Sequence, residues 1–386
     1  MATAAVACLA LVAACSSGSA SGSSSNGPSD SSSSAALAPF KAALQVGYKG
    51  TSVAPPTSSP APKKGVTAWI ISCGQSAPGC SDVVAGAVAA GQVLGWKTKV
   101  YDGQFGAGGA YDTGIRQAIA AHASVIIPIG IDCNVAKTAY QAAKAANIPI
   151  VSINSYDCND PALKDGPPLF SGQLEYNKGH QTTSEEMNYL GQLQADWLVV
   201  HSNGKAKIIE FTLSAVTGLA KEQQGFNAEI AKCSGCTVLT KVAVAPPDES
   251  NGVAGQTFSS LLTKYPQATA VWTPDDSLID AAQIPQAIAS AGRLQSLLVL
   301  GVQGFAQNLA LIRDNKGQSV AVAYDPARLG WGGMDEANRI LNGMPSVPEG
   351  NGLQVIDATH NMPPAGQNWK DPINYEAAYK KAWGQG

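Results

Sequence analysis

Between residues 65 and 365 the chain alternates short apolar runs with longer segments of helical spacing. The run at 66–71 is β-branched and aromatic, and in the segment 81–96 Val84 and Val88 share one helical face with two glycines. The run at 124–131 is largely apolar, as a strand covered on both faces of a sheet must be. Alternation of this kind predicts parallel sheets with right-handed crossovers. Because both halves show it, we expect an α/β fold with two doubly wound, parallel-sheet lobes.

The same pattern gives the expected bounds of the elements. Predicted strands lie at 66–71, 97–101, 124–131, 148–153, 206–211, 237–244, 268–272, 296–300, 319–323 and 353–358. Predicted helices lie at 81–96, 112–122, 135–146, 180–200, 219–232, 252–265, 277–291, 305–315 and 328–341. A short helix at 36–47 has no partner that the pattern identifies.

The N-terminus predicts export and attachment to a membrane. Residues 1–14 are uncharged and largely apolar but too few to span a bilayer as a helix, so they are interpreted as a signal peptide. The sequence VAAC at 12–15 resembles a bacterial lipobox, which would make Cys15 a lipidated first residue. The alternative is a plain secretory signal in which Cys15 is incidental. Residues 15–64 are rich in Ser, Gly and Pro, which predicts a lipid anchor with a flexible linker and a folded body starting near Gly65.

Charge content and motifs exclude several classes of function. The net charge is −3, charged residues make up 14% of the chain, and the five arginines are scattered, so no basic face for a nucleic acid is expected. The sequence has no HExxH, P-loop or GxSxG motif, and the glycine cluster at 106–109 is not a dinucleotide-binding GxGxxG. We therefore expect no catalytic residues, no cofactor and no metal.

In open α/β sheets, ligands bind at the carboxyl ends of the strands. The predicted strand ends carry amide, hydroxyl and carboxylate side chains with aromatic residues nearby, which suits a hydroxyl-rich ligand. No arginine lies at a strand end, so a neutral polyol or a cationic ligand fits better than an anion. The candidate ligand-binding residues are Gln75, Asp132, Asn154, Tyr156, Ser214, Trp272, Asp275, Gln303, Tyr324 and Asp325.

Some of these candidates also have a structural interpretation. Asp132 is suited to cap the helix that follows it. Trp272 ends a buried strand and is suited to the core. Gln75 and Asn154 are suited to hydrogen bonds within their own loops.

Several segments together resemble the type 1 periplasmic binding proteins, in the ribose- and galactose-binding branch that serves ABC importers. The segments are the first strand ending at Cys73-Gly74, the stretches 125–132, 147–154, 270–276, 300–303 and 323–326, and Gly225-Phe226 in the second half. They extend over roughly residues 65–365.

The resemblance implies two lobes joined by three crossing segments, near Phe170, Asp325 and Leu353. The implied N-terminal lobe comprises 65–170 and 326–352, the implied C-terminal lobe comprises 171–325 and 353–368, and residues 369–386 form a C-terminal tail.

The resemblance also implies roles for individual residues. Asp132 matches an aspartate that binds sugar hydroxyls, and Asp275 matches a polar ligand contact. The chain departs from the family where Gln303 stands in place of a common Asp and where Tyr324-Asp325 stand in place of a common Gln. At 219–221 it has Leu-Ala-Lys where an Arg often begins the helix.

Six cysteines remain beyond Cys15, an even number that indicates disulfides in an exported protein. The motif at 233–236 also fits a redox pair or half a zinc site, but it follows a predicted helix, precedes a strand and has no second CxxC partner. Two other cysteines follow neighbouring predicted strands, within disulfide range. The predicted pairs are Cys73–Cys80, Cys133–Cys158 and Cys233–Cys236.

Together these observations predict a monomeric, lipid-anchored, extracytoplasmic solute-binding protein. It would capture a small neutral sugar or polyol by hinge closure and deliver it to the membrane permease of an ABC importer. Two alternatives remain open, namely the same fold binding an amine or small aromatic solute, and a receptor that presents its ligand to a membrane kinase.

Overall fold

Eleven strands and twelve α-helices are present in the part of the chain that the structure describes. The computed structural model describes residues 29–213, 216–245, 248 and 251–385, with the main chain alone for 29–34. The strands are β1 (Thr67–Ser72), β2 (Lys97–Asp102), β3 (Val125–Pro128), β4 (Val151–Ser152), β5 (Gly172–Gln173), β6 (Lys207–Leu213), β7 (Thr237–Val244), β8 (Ala270–Trp272), β9 (Leu298–Gln303), β10 (Val320–Ala323) and β11 (Gln354–Asp357). The helices are α1 (Ser29–Lys49), α2 (Pro78–Val93), α3 (Ala110–Ala120), α4 (Lys137–Ala145), α5 (Thr183–His201), α6 (Thr217–Ile230), α7 (Val253–Lys264), α8 (Asp276–Ala281), α9 (Ile284–Ser290), α10 (Ala306–Arg313), α11 (Pro326–Leu341) and α12 (Tyr375–Ala382).

The sheet of the first lobe has the strand order β2-β1-β3. Single parallel bridges, Ile126 to Ile150 and Ile129 to Ile153, continue it to β4, which pairs with β5. Helices α2 and α11 cover one face, while α3 and α4 cover the other. This two-sided cover explains why β3 is buried along its whole length.

The sheet of the second lobe has the strand order β11-β10-β9-β8-β6-β7, and only the edge strand β11 is antiparallel to its neighbour. Helices α5 and α6 pack on one face, and α7, α8 and α9 pack on the other. The predicted α/β fold with two parallel-sheet lobes is confirmed.

The chain passes between the lobes three times in the order that the fold requires. It leaves β5 of the first sheet and enters α5 of the second lobe at 174–182. It leaves β10 for α11, which packs on α2 of the first lobe, at 324–325. It returns to β11 through 349–353.

The segment before Gly65 differs from the predicted flexible linker at 15–64, because its described part packs on the body. Phe40, Leu44 and Tyr48 recur every fourth residue of α1 and are buried in the core of the second lobe. The Tyr48 hydroxyl donates a hydrogen bond to Asp357 at the end of β11. The apolar stripe of α1 therefore has a partner that the sequence pattern did not reveal.

Residues 51–64, which we call the N-terminal strap, run from the second lobe across to the first. Thr51 N donates to Leu353 O at 2.9 Å, and further along Asn338 Nδ2 of α11 donates to Pro60 O at 2.7 Å. Near the end of the strap, the Trp96 indole N–H donates to Lys63 O at 2.9 Å. A Pro- and Ser-rich stretch is thus held in place because side chains of the body bind its carbonyl groups.

The C-terminal segment 369–386, predicted as a tail, packs on the body where the structure describes it: Trp369 lies in a core cluster of the second lobe, and α12 packs on the first lobe. Trp383 stacks on Trp331 of α11 with ring centroids 5.6 Å apart, and the Tyr379 hydroxyl donates to Glu349 Oε2 at 2.8 Å. Tyr379 and Trp383, the residue directly after α12, are both buried. Two aromatic residues four apart anchor this helix, and its eight residues are too few to give a clear periodic pattern.

One predicted helix, 277–291, is two helices in the structure. Helix α8 ends before Gln283, which has a φ of 50°, and α9 carries Pro285 in its first turn. The proline lacks an N–H and is favoured there rather than in a helix interior. Within the described ranges, no helix combines the length and the apolar composition needed to cross a bilayer.

Candidate functional site

The carboxyl ends of the two sheets lie against each other, and we call the polar region between them the interlobe site (Asp132, Asn154, Tyr156, Gln303 and Tyr324). Three close approaches between the lobes define it. Asp132 is within hydrogen-bond reach of Thr217, the first residue of α6. A Cβ on Gly218 would lie 3.8 Å from the Tyr156 hydroxyl, and a Cβ on Gly79 would lie 3.1 Å from Gln303 Nε2.

Asp132 follows β3 and turns its carboxylate across the site instead of capping a helix. Its Oδ1 accepts from the Tyr156 N–H at 3.0 Å, and it makes no cap hydrogen bond to the turn that follows. Burial raises the pKa of Asp132, and hydrogen bonds from the Thr217 hydroxyl and the Tyr156 N–H oppose the rise. The carboxylate is thus positioned to accept hydrogen bonds from a bound group between the lobes.

Asn154 and Tyr156 follow β4 and continue the same edge. Asn154 has a φ of 53°, which turns the chain there, and its Oδ1 accepts from the Tyr176 hydroxyl at 3.1 Å. Tyr156 is buried, and burial raises the pKa of its hydroxyl strongly, so it remains a neutral donor.

On the second lobe, Gln303 and Tyr324 form the facing edge. Gln303 Nε2 donates weakly to the Tyr324 hydroxyl at 3.5 Å, and Gln303 Oε1 is buried without a hydrogen-bond partner. Burial raises the pKa of Tyr324 to about 12, and the nearby carboxyls of Asp275 and Glu222 add to the rise. The unpartnered amide oxygen leaves this edge with an acceptor for a ligand hydroxyl or amine.

Asp275 and Asp325 lie beside the site but also hold local structure. Asp275 caps α8, its Oδ1 accepting from Leu278 N at 2.7 Å. Asp325 caps α11, accepting from the N–H groups of Ala327 and Arg328, and its Oδ2 also accepts from Asp371 N at 3.2 Å. The main chain therefore occupies most of the acceptor positions of Asp325.

Trp272 is placed in the core and not at the site. It is fully buried, stacks on Phe226 with centroids 5.2 Å apart, and donates its indole N–H to Gln194 Oε1 at 2.6 Å. The expectation that it stacks on ligand is therefore not supported, because the side chain is fully buried and its one polar atom has a protein acceptor.

The remaining candidates lie elsewhere. Gln75 is at the rim of the first lobe, where its Nε2 donates to Ser72 Oγ at 2.7 Å. Ser214 lies outside the described residues, as does Cys15.

Two aromatic residues near the site were missed by sequence reasoning. Phe105 is 57% exposed in the loop after β2, with its ring against Gly74. The Tyr111 hydroxyl donates to Cys73 O at 3.3 Å, and burial together with the charges of Asp132 and Asp102 raises its pKa to about 12. The glycine cluster at 106–109 could have pointed to Phe105, because glycine clusters shape the loops at strand ends where ligands bind.

The structure joins the six cysteines in the three predicted pairs. Cys73–Cys80 and Cys133–Cys158 brace the loops after β1, β3 and β4, on the first-lobe side of the interlobe site. Cys133, Cys158 and Asp157 are also close enough to hold a metal, but both sulfurs are bonded to each other and Asp157 accepts from three backbone N–H groups. These residues are a structural brace.

One large surface groove lies away from the strand ends. It measures about 980 Å³ and runs between α7 and α9 of the second lobe, lined by small residues such as Gly255, Ser259 and Ala287. No carboxylate lines it, and its only charged side chain is Arg293, which binds the carbonyl of Ala268. The convergence of polar side chains from both lobes therefore favours the interlobe site.

A family profile matches most of the chain. The profile of the "Periplasmic binding protein domain" family covers residues 68–345. This range includes both parallel sheets except β1's first residue and β11. No curated protein matches the chain at a significant level.

Many solved structures share the fold at low sequence identity. A glucose-galactose binding protein, GanP, from Geobacillus stearothermophilus is 17% identical with a TM-score of 0.63, covering 77% of this chain and 98% of its own. The periplasmic component of the arabinose ABC transporter from Shewanella sp. ANA-3 is 19% identical with a TM-score of 0.63. The match covers 83% of this chain and 96% of that protein. An ABC transporter solute binding protein from Mycobacterium smegmatis, with bound glycerol, is 18% identical with a TM-score of 0.62. The match covers 81% of this chain and 100% of that protein.

Proposed function

Since the chain belongs to the periplasmic binding protein domain family, we propose that it is the extracytoplasmic solute-binding component of an ABC importer. Its ligand is a small hydroxyl-rich solute, a sugar or polyol. The observation that carries the proposal is the approach of the two lobes at their facing strand ends, where Asp132 of the first lobe reaches Thr217 of the second and Gly79 lies against Gln303. Carboxylate, amide and phenol groups are the partners that sugar hydroxyls use.

Similar folds support the ligand class. Of the three solved structures named above, one is a glucose-galactose binding protein, one belongs to an arabinose transporter and one holds glycerol, so all three are linked to hydroxyl-rich molecules. The described strand ends of this chain present no arginine, which disfavours an anionic solute.

Hinge closure is the mechanism we propose for capture. A ligand that touches both lobes stabilises the arrangement in which the strand ends are close, by as much as its affinity differs between the open and closed forms. The three crossings at 174–182, 324–325 and 349–353 are where backbone rotation would occur. The closed form then docks on the membrane permease.

Lipid attachment at Cys15 and a monomeric state complete the proposal. The acyl chain would hold the protein at the outer face of the cell membrane, and the residues between Cys15 and α1 would act as a tether. Mass spectrometry of the membrane fraction tests this part, because lipidation adds the acyl groups to an N-terminal cysteine and Cys15→Ser should release the protein.

A thermal-shift screen tests the binding function. The chain from residue 16 onward, which keeps α1 and the strap, is mixed with pentoses, hexoses, polyols, inositols, amines and small aromatics. A ligand at a thousandfold excess over its Kd stabilises by about 4 kcal/mol, so a true ligand gives a clear shift.

Variants then locate the site. Asp132→Asn should weaken binding, while Asp314→Asn, an exposed aspartate beyond the end of α10, should leave it unchanged. Equal affinities for the two variants would remove Asp132 from the site.

A further inference from the structure

A small polar cavity lies at the base of the interlobe site, next to the crossing segments. We call it the floor cavity; its polar lining includes Asn154, Tyr176, Glu186, Tyr324 and Asn351. Its volume is about 10 Å³, room for one water-sized group. Because Asn154 and Tyr324 also belong to the interlobe site, the cavity adjoins that site.

Glu186, in the first turn of α5, lines this cavity with an unsatisfied carboxyl group. It is 1% exposed, and neither carboxyl oxygen has a hydrogen-bond partner. The nearest basic atom is Nδ1 of His180, 3.8 Å from Oε2 and beyond hydrogen-bond distance. Burial raises the pKa of Glu186 well above its usual range. A buried carboxyl with no partner is costly in a folded protein, so its retention needs an explanation.

Asn351, on the third crossing segment, gives an independent indication. It is 3% exposed, and neither Oδ1 nor Nδ2 has a hydrogen-bond partner. The amide of Asn351 and the carboxyl group of Glu186 therefore line the same cavity, and neither side chain has a hydrogen-bond partner. Such a set can hold a group that both donates and accepts hydrogen bonds.

The charge around the cavity favours a cationic group. Glu222 and Asp275 lie close enough to the Tyr324 hydroxyl to affect its titration, and Glu222 Oε1 is also buried without a partner. Arg328 lines the cavity; its guanidinium binds Asp371 Oδ2 at 2.6 Å and Glu349 O at 3.3 Å, while its Nε is buried without a hydrogen-bond partner. The cavity is therefore lined by three carboxyl groups, those of Glu186, Asp325 and Asp371, against one guanidinium.

We propose that Glu186 and Asn351 are ligand-binding residues, and that Glu186 receives the protonated amino group of a hydroxyl-rich ligand, an amino sugar or amino polyol. This inference rests on the proposed function, since it concerns the ligand of the same interlobe site and specifies an amino group at one end of that ligand. A protonated amino group on carbon is about the size of a water molecule and donates three hydrogen bonds, which Glu186 and Asn351 Oδ1 can accept.

Matched ligand pairs test the inference. The affinities of the chain from residue 16 onward are measured by calorimetry for D-galactose and D-galactosamine, D-glucose and D-glucosamine, and D-sorbitol and D-glucamine. We expect the amino member of at least one pair to bind more tightly than the neutral member. In Glu186→Gln, the affinity for that amino member should fall roughly thirtyfold or more, because the variant removes one partner of a buried charge pair. The affinity for the neutral member should change little.

Glu336→Gln is the matched control, because Glu336 is also a buried carboxyl with an unpartnered oxygen but lies on α11 and bonds Val347 N. It should retain the preference for the amino member. Equal or tighter binding of every neutral member by the unmodified protein overturns the inference while supporting the proposed function, and this comparison does not depend on any variant folding. Absence of binding by all six compounds overturns the inference, and the thermal-shift screen of the wider panel decides the proposed function separately.

Discussion

The packing of α1 on the second lobe can be tested by replacing Leu44 with alanine. Leu44 is 2% exposed and lies in the same core cluster as α5 and β11. Removing a buried leucine side chain costs about 2–5 kcal/mol, the sum of lost transfer free energy and the cavity left behind. The three anchors Phe40, Leu44 and Tyr48 together bury side chains worth about 5–9 kcal/mol at about 1.5–3 kcal/mol each. Because this exceeds the cost of the single change, α1 should stay docked and the loss should appear in the stability of the second lobe.

The assay is urea denaturation of the chain from residue 16 onward, combined with hydrogen exchange of the α1 amides. Val46→Ala on the same helix is the control, since Val46 is 50% exposed and its loss should change stability by no more than about 0.5 kcal/mol. Leu44→Ala should lower the free energy of unfolding and speed exchange in α1. Identical urea midpoints and exchange rates for the two variants would refute the conclusion that α1 belongs to the folded body.

Three further outcomes follow from other parts of the fold. Replacing Cys133 and Cys158 with serine should cost about 3 kcal/mol in chemical denaturation, because that disulfide closes a loop of 25 residues. Gly225→Ala should destabilise by about 1–3 kcal/mol or more on the same measurement, since a Cβ there would lie 1.8 Å from Asn188 O between α5 and α6. Burial raises the pKa of Glu336 to about 8, so the folded protein keeps a proton that the unfolded chain releases above 4.5; melting temperatures should fall from pH 5 to pH 8, and less so in Glu336→Gln.

The sequence predicted the two-lobed fold because hydrophobic periodicity is a local property that burial on two sheet faces imposes directly. The strand run at 124–131 and the buried β3 illustrate this. The same reasoning missed the contacts of α1, the strap and α12, since these are set by partners distant in the sequence. Tyr48 and its acceptor Asp357 are 309 residues apart. Only the folded chain shows that this tyrosine has an acceptor.

The position of the site followed from topology, whereas the roles of individual side chains did not. Parallel strands place their carboxyl ends at one edge, which brought Asp132 to Tyr156 and placed Asn154 and Tyr324 on one cavity, as the strand-end rule requires. The rule does not say which way a side chain points at the end of a strand. Trp272 turned into the core and Asp325 turned back to cap α11, because each found a nearer partner in the fold.

Glu186 shows why a functional residue can escape the strand-end rule altogether. In the sequence it follows Glu185 after Thr-Thr-Ser, which is the usual composition of a helix N-terminus, and Glu185 does form a capping box with Thr182. The neighbouring carboxyl differs only because α5 begins where the chain crosses between the lobes, which turns one side of its first turn toward the floor cavity. Two adjacent glutamates thus have opposite environments: Glu185 has its pKa lowered by the Thr182 N–H, and Glu186 has its pKa raised by burial. The distinction depends on the crossing, and no local pattern in the sequence encodes it.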